Sequence, residues 1–330
     1  MSAYQETPAL LYIHKDKIYR LDRWCRRFAE QAAQAGIPFR TVDLLRRDYR
    51  DLPMTASDGL IGRFGHHPRD LRRMRPVYAA LDDYCGGRIY PRFHTYSFYD
   101  DKRRQMELLQ SKQYPAPRTA FVASRDDVDR FLDETGLRFP LVAKKTFGAS
   151  ASRVRLARSR EEVLLPGILQ EFCPNNDGDL RMVVIGNRVM GFRRNNRPGD
   201  FRASGSGLKE YLDDLDLECV RLAHRISVEN GFESMAYDFV RDGEGRWVVL
   251  EFSYCFGPGP RKCRYYYELP SGEKKDKTGV YPEDFILADF LERYPQIKSR
   301  GINETPRNTT ILTLCKNEYL FLTKQTRPRG

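Results

Sequence analysis

An α/β fold is predicted by three features of this 330-residue chain. Short apolar runs alternate with helix-period stretches up to about residue 97. Later β-rich runs are joined by turn signals, Gly186-Asn187 and Asp242-Gly-Glu-Gly245. Gly or Pro punctuates most boundaries.

Residues 10–13 are an apolar run of strand length. Residues 21–35 have a helical period and stop at Gly36. Strands follow at 39–44 and 59–63, then a helix at 68–84 closed by Cys85-Gly-Gly87, and a fourth strand at 88–91. Strands separated by helices form a parallel, helix-covered sheet. No G-x-G-x-x-G follows the first strand, so the dinucleotide fingerprint is missing. A helix at 100–113 and a strand at 119–122 come next. Ser124-Arg-Asp-Asp127 reads as a helix cap with an acidic first turn, the helix running to about residue 134 with Gly136 as its stop. Strands at 139–145 and 154–157 flank a Gly/Ser loop at 146–152. Residues 178–192 alternate about Gly186-Asn187, 208–229 read as one long helix, and a hairpin spans 236–253. After Gly257-Pro-Gly-Pro260 the chain reads as irregular and basic to 281. A helix at 282–294 and a polar, basic tail with one apolar run at 310–314 complete it.

Composition excludes several classes. No run of 18 apolar residues exists, so no membrane span is expected. The first residues lack a basic segment followed by an apolar one, so no secretory signal is expected, and the cytoplasm is the expected compartment. Seven scattered cysteines, none in a Cys-x-x-Cys pair, read as free thiols rather than a disulfide framework or zinc site. The formal charge of +11 favours anionic partners. Arginines cluster at Arg46-Arg47, Arg69 to Arg75 and Arg193-Arg194, the first two without the interleaved aromatics of single-strand binders, and no nucleic-acid partner is expected.

The chemistry concentrates in the second half. A two-residue loop at Gly243-Glu244 would put Asp238 opposite Val249, with Glu251 as its diagonal neighbour on the same face. Two converging carboxylates need a cation between them, and hard oxygen ligands suit Mg²⁺. Upstream, Lys144 ends a strand beside the small-residue loop, whose backbone N–H groups can approach a phosphate. Gln170-Glu171-Phe172 ends the next strand. Asp179 and Arg181 share a face of the following one, and Arg194 and Arg202 stand near loops.

The order of these motifs resembles the ATP-grasp superfamily: Asp101-Lys102, Pro140-Leu-Val-Ala-Lys144 with its Gly/Ser loop, Gln170-Glu-Phe172, Gly178-Asp-Leu-Arg181, Arg193-Arg194, Asp200-Phe-Arg202, then Asp238 and Leu250-Glu251. The likeness is to ribosomal-protein glutamate ligases, D-alanine–D-alanine ligases and glutathione synthetases, over about residues 98–256. It implies a pre-ATP-grasp parallel-sheet domain at 1–97 and a two-subdomain ATP-grasp fold, the small subdomain at 98–170 and the large at 171–295, with a basic tail at 296–330. ATP and Mg²⁺ (or Mn²⁺) are the implied cofactors. Lys102 and Lys144 would contact phosphates, with Ser150 in the loop that folds over them. Glu171 would accept from the adenine amino group, the Phe172 backbone would lie in the hinge, and Asp179 would bind the ribose. Arg181, Arg194 and Arg202 would hold the acyl phosphate or a substrate carboxylate. Asp238 and Glu251 would hold the metal. The family's third ligand is an Asn where this chain has Ser253, which leaves one or two ions open.

The implied reaction is carboxylate–amine ligation through an acyl phosphate, on an anionic acceptor such as an amino acid, a peptide carboxyl terminus or a uronic-acid glycan precursor. A kinase-like phosphotransferase and a degenerate nucleotide-binding homologue are the alternatives. Homodimers are common in the family. His66 and His67, with Arg63, are weaker substrate-side candidates.

Overall fold

The structure, a computed structural model, describes residues 9–15, 23–44, 49–55, 57–63, 68–147 and 154–297. Arg46-Arg47, His66, His67, Ser150 and the tail with its apolar run at 310–314 lie outside the described residues.

The N-terminal part is β1 (Leu11–His14), α1 (Arg23–Gln34), β2 (Phe39–Val42), β3 (Gly59–Ile61), α2 (Pro68–Tyr84) and β4 (Ile89–Tyr90). Its strands form a parallel sheet of order β2-β1-β3-β4. Trp24, Phe28 and Ala32 recur at four-residue spacing on α1 and are all buried, which is the apolar stripe that docks this helix. α3 (Phe93–Tyr96) and α4 (Lys102–Ser111) lead to β5 (Thr119–Val122) and α5 (Arg125–Thr135). α5 begins at the expected capping box, Asp127 N–H donating to Ser124 Oγ at 3.2 Å, and ends at Gly136 with φ +66°. β6 (Leu141–Lys144), β7 (Val154–Ala157) and β8 (Gly167–Glu171) join β5 in a small antiparallel sheet, β5-β8-β6-β7, which has its own core around Val122, Val128 and Leu169.

The large sheet contains β9 (Gly178–Ile185), β10 (Arg188–Asn195), β11 (Lys209–Glu210), β12 (Ser234–Arg241), β13 (Trp247–Ser253), β14 (Tyr265–Glu268) and β15 (Glu273–Asp276), in the order β13-β12-β9-β10-β14-β15, with β11 on β10. α6 (Leu217–Glu229) covers it. α7 (Pro282–Arg293) packs on α1, with Arg27 bidentate to Asp284 at 2.6 and 2.7 Å. The N-terminal and large sheets share cores, one joining Tyr12 and Leu60 to Tyr237 and Phe252, another Leu11 and Ile13 to Ile185 and Phe290. Among the described residues no helix is long and apolar enough to cross a membrane.

Three expectations are corrected. The long helix at 208–229 begins only at Leu217. Asp216 caps it, accepting from Glu218 N–H at 3.0 Å and from Trp247 Nε1 at 2.7 Å, while Lys209 and Glu210 pair with β10. The irregular stretch to 281 contains a hairpin, β14–β15, in which the β-favouring run Tyr265-Tyr-Tyr267 extends the sheet. The β12–β13 turn is wider than a two-residue loop because the Asp242 carboxylate accepts the amides of Glu244 and Arg246, both at 2.9 Å. Arg241 then faces Trp247 and Phe239 faces Val249. A register shift after Asp238 places it directly opposite Glu251 rather than diagonal to it.

Candidate active site

A cleft of about 460 Å³ opens between the small and large sheets. Lys102, Lys144, Glu171, Phe172, Asp179, Arg181, Arg194, Arg202, Asp238, Glu251 and Ser253 all line it. Sheet geometry accounts for much of this convergence. Glu251 on β13, Asp238 on β12 and Arg181 on β9 are successive cross-strand partners, so they stand side by side on one face. Asp179, two residues before Arg181, shares that face and is opposite Arg194 on β10.

These groups form a buried ion network. Arg181 Nε and Nη2 each donate to Asp238 at 2.7 Å. Arg194 Nε and Nη2 donate to Asp179 at 2.6 and 2.5 Å, and Arg194 Nη2 also reaches Asp238 Oδ2 at 2.8 Å. Burial alone would raise the Asp238 carboxyl, but Arg181 and Arg194 overcome it and hold the pKa at about 2. Asp179 is paired with Arg194, which it shares with Asp238, and has Asp238's charge beside it, so burial and that repulsion leave its pKa raised. Fork-to-fork pairing keeps both carboxylates oriented.

The two lysines differ. Lys102 opens α4, whose cap is Asp101 accepting from Arg104 N–H at 3.2 Å. Its Nζ lies 3.4 Å from both Asp100 Oδ1 and Glu251 Oε1. Burial pulls its pKa down, but Glu251 and Asp100 more than compensate and hold it above its ordinary value. Lys144 ends β6 and is equally buried, but the partner within hydrogen-bond reach is the neutral Gln170 Oε1, at 2.6 Å. Gln170 is fixed in turn by Thr119 Oγ1 at 3.0 Å. Burial, only partly opposed by the Glu251 charge, lowers Lys144 to about 8.

The remaining candidates are engaged by local partners. Glu171 takes Arg118 Nε and Nη2 at 3.0 and 2.9 Å, so the carboxylate expected to accept from adenine already holds a guanidinium. Phe172 meets the edge of Phe201, ring centroids 5.9 Å apart. Arg202 pairs with Asp200 and donates to the Val154 carbonyl at 3.2 Å. Ser253 Oγ accepts from Cys255 N–H at 3.2 Å. Arg63 lies over the Trp24 ring at 4.3 Å and donates to Cys255 Sγ at 3.0 Å, which sets it behind a residue of the cleft wall rather than in the cleft.

A family profile described as a RimK-like ATP-grasp domain matches residues 99–252, the stretch that supplies all of these lining groups except those beyond Phe252. That stretch, just under half of the chain, is similar to a RimK-like ATP-grasp domain. The coenzyme gamma-F420-2:alpha-L-glutamate ligase of Methanocaldococcus jannaschii is 29% identical over 162 residues, covering 43% of this chain and 56% of that protein. A probable alpha-L-glutamate ligase of Legionella pneumophila is 34% identical over 166 residues, 46% of this chain and 54% of the relative. The chain thus spans about half the length of the curated relatives it matches. Solved structures agree in fold. The RimK domain ATP-grasp protein of Sphaerobacter thermophilus superposes with a TM-score of 0.58 at 17% identity, over 86% of this chain and 98% of that one. D-cycloserine synthetase DcsG gives 0.58 at 17%, over 87% and 100%. The ATP-grasp ligase PsnB, in a complex with a precursor, Mg and ADP, gives 0.56 at 14%, over 87% and 98%.

ATP and Mg²⁺ are the cofactors of ATP-grasp ligases, and the donor set of this domain suits them. Asp238 and Glu251 are adjacent hard oxygen donors, Mg²⁺ is ordinarily held by one or two carboxylates, water and phosphates, and a metal at Asp238 would share oxygens that Arg181 and Arg194 already hold. Among the described residues no group of three His, Cys, Asp or Glu could hold a metal alone, so phosphate and water would complete the shell. Asp100 and Arg118 are cleft-associated residues that sequence reasoning missed, and Gln170, named in its motif, had no role assigned to it. Asp100 stood beside the Asp101-Lys102 motif as an unassigned acid. Arg118 gave no signal, because its partner is 53 residues away.

Proposed function

We propose that this protein is an ATP-dependent carboxylate–amine ligase that acts through an acyl phosphate. The observation that carries the reading is the face shared by Glu251, Asp238 and Arg181 across three adjacent strands, with Lys102, 3.4 Å from Glu251, and Lys144 lining the same cleft. This places a metal-competent carboxylate pair beside groups that bind phosphate. Bound Mg²⁺ would neutralise charge at the transferring phosphoryl group. Lys102 and Lys144 would bind the nucleotide phosphates. Arg181, Arg194 and Arg202 would orient the substrate carboxylate and stabilise charge that grows on the phosphoryl oxygens. Asp179 would serve the ribose end, Glu171 and the Phe172 backbone the base, and Ser150 the loop over the phosphates. Ser253 would contribute to the metal site only by surrendering the Cys255 amide.

Atoms balance without a protein nucleophile. A carboxylate oxygen attacks the γ-phosphorus and releases ADP. The amine nitrogen then attacks the acyl carbon, releases phosphate and gives its proton to solvent or phosphate. Positioning and preorganised positive charge supply the catalysis. The relatives named as glutamate ligases support an amino acid as one partner, joined to a small-molecule or peptide carboxylate; a uronic-acid glycan belongs in the same screen. The separate N-terminal, small and large sheets support divisions near 97 and 170. Free cysteines and ATP dependence support a cytoplasmic setting.

The test is an ADP-release screen of amines against carboxylates, with mass spectrometry of the product. Loss of one water on joining the substrates supports ligation, whereas a phosphate adduct would replace it with phosphotransfer. Glu251→Gln should lower acceptor-dependent ADP release by roughly 10²-fold or more. Full activity in that variant would sink the assignment.

A further inference from the structure

Asp100 has no role in the reading above, yet its placement is unusual. Its φ is +54°, in the left-handed region that non-glycine residues seldom enter. The other described non-glycine residues in that region, Gln113 and Asn175, are exposed, whereas Asp100 is buried, its side chain 4% exposed. Such conformations persist where surrounding structure imposes them, commonly at functional sites. The left-handed turn separates two consecutive acids. Asp101 caps α4, and Asp100 lines the cleft and faces the Lys102 ammonium at 3.4 Å. The helix start therefore does not need the Asp100 charge. Lys102 is tied at its other end, its backbone N–H donating to Thr146 O at 3.2 Å, next to the loop after β6.

The second carboxylate at Lys102, Glu251 at 3.4 Å, is the one the ligase reading assigns to a divalent ion. A cation at Glu251 would compete for the carboxylate that faces the ammonium. Asp100 stands outside the Asp238–Glu251 pair and keeps its hold on Lys102. We infer that Asp100 is a positioning residue, which keeps the Lys102 ammonium aimed into the cleft when Glu251 turns to the metal, so that nucleotide phosphate meets a preoriented lysine. The inference rests on the ligase reading for the identity of the phosphate ligand, a nucleoside triphosphate with Mg²⁺.

The experiment uses the full chain and a fluorescent trinitrophenyl-ATP titration in MgCl₂, beside steady-state ADP release. Asp100→Asn tolerates the left-handed backbone and removes the charge, and Asp100→Gly removes the side chain from a backbone that suits glycine. Both should weaken nucleotide binding about tenfold and raise the KM for ATP to match, with kcat at saturating ATP changed less than twofold, the signature of lost uniform binding. In a double-mutant cycle, Asp100→Asn with Lys102→Met should be no worse than Lys102→Met alone, because the aspartate acts through the lysine. Wild-type affinity in both Asp100 variants, or a double mutant that multiplies the single losses, would overturn the inference and leave the ligase reading intact. A wild-type protein that binds no nucleotide would overturn both.

Discussion

Lys144→Met should stabilise this protein while removing its nucleotide binding. The wild-type ammonium is buried against the neutral Gln170 amide, and burial takes its pKa from 10.5 to about 8. At about 1.4 kcal/mol per tenfold, that drop means the folded protein holds the charged lysine at a cost of roughly 3 kcal/mol relative to the unfolded chain. Methionine fills a similar volume without charge. It leaves Gln170 Oε1 without its donor, which costs about 1 kcal/mol. The expected net gain is roughly 2 kcal/mol at pH 7, or several degrees in Tm.

The sign of the pH dependence makes this specific. The folded pKa lies below the unfolded one, so between pH 8 and 10.5 the unfolded chain binds more protons, and wild-type stability gains as pH rises. Below pH 8 the full cost is present, and above 10.5 it is gone. The advantage of Lys144→Met should therefore be largest at pH 7 and mostly lost by pH 10. Paired thermal melts at those two pH values, with trinitrophenyl-ATP binding at pH 7, measure it. A variant less stable than wild type at pH 7, or an advantage that does not change to pH 10, would refute the account of a costly buried charge kept for phosphate.

Two further outcomes follow from the ion network. Arg194→Ala strands Asp179 and weakens the hold on Asp238, and should destabilise by about 3–5 kcal/mol in urea unfolding at pH 7. Because Asp238 is held at about 2, below its ordinary 3.8, its stabilisation is complete above pH 3.8 and lost as pH falls through 2, so the gap between variant and wild type should narrow over that window. Gly178→Ala would set a Cβ 2.2 Å from the Arg194 carbonyl oxygen, a backbone atom that cannot move without shifting β10. It should cost about 1–3 kcal/mol and weaken nucleotide binding by disturbing the Asp179–Arg194 pair beside it. Thermal melts and the same fluorescence titration check both effects.

How far the sequence revealed this fold depended on whether the signal was local. Gly186-Asn187, Ser124 with Asp127, and Gly136 each act within four residues, and the elements they bound stand where expected. The helix at 208–229 was overextended because its period continues across Asp213-Asp-Leu-Asp216, where a cap outweighs periodicity. The Asp238–Glu251 register was misjudged for a related reason. It depends on how the Asp242 side chain recruits two amides and on an irregularity in the ladder, and neither follows from alternation. In the cleft, residue types and order identified the candidates but not their partners. That Arg181 and Arg194 meet on Asp238 requires β9 to lie between β10 and β12, a non-local fact about strand order.

Net charge was the least informative guide to the site. The chain carries +11, yet six cations and five carboxylates line the cleft, a net of only +1. A cleft with a large uncompensated charge would draw anions but would hold its side chains poorly, since each buried cation needs a counterion to remain in place. Here Arg181, Arg194, Arg202 and Lys102 each face a carboxylate at 3.4 Å or less, which fixes their geometry before any ligand arrives. Lys144, held by a neutral amide, departs from that pattern. A phosphate beside it supplies the anion that this lysine lacks among its hydrogen-bond partners. A group that costs the fold is thus one whose charge a nucleotide would relieve, and affinity should fall as pH rises through about 8 and Lys144 loses its proton.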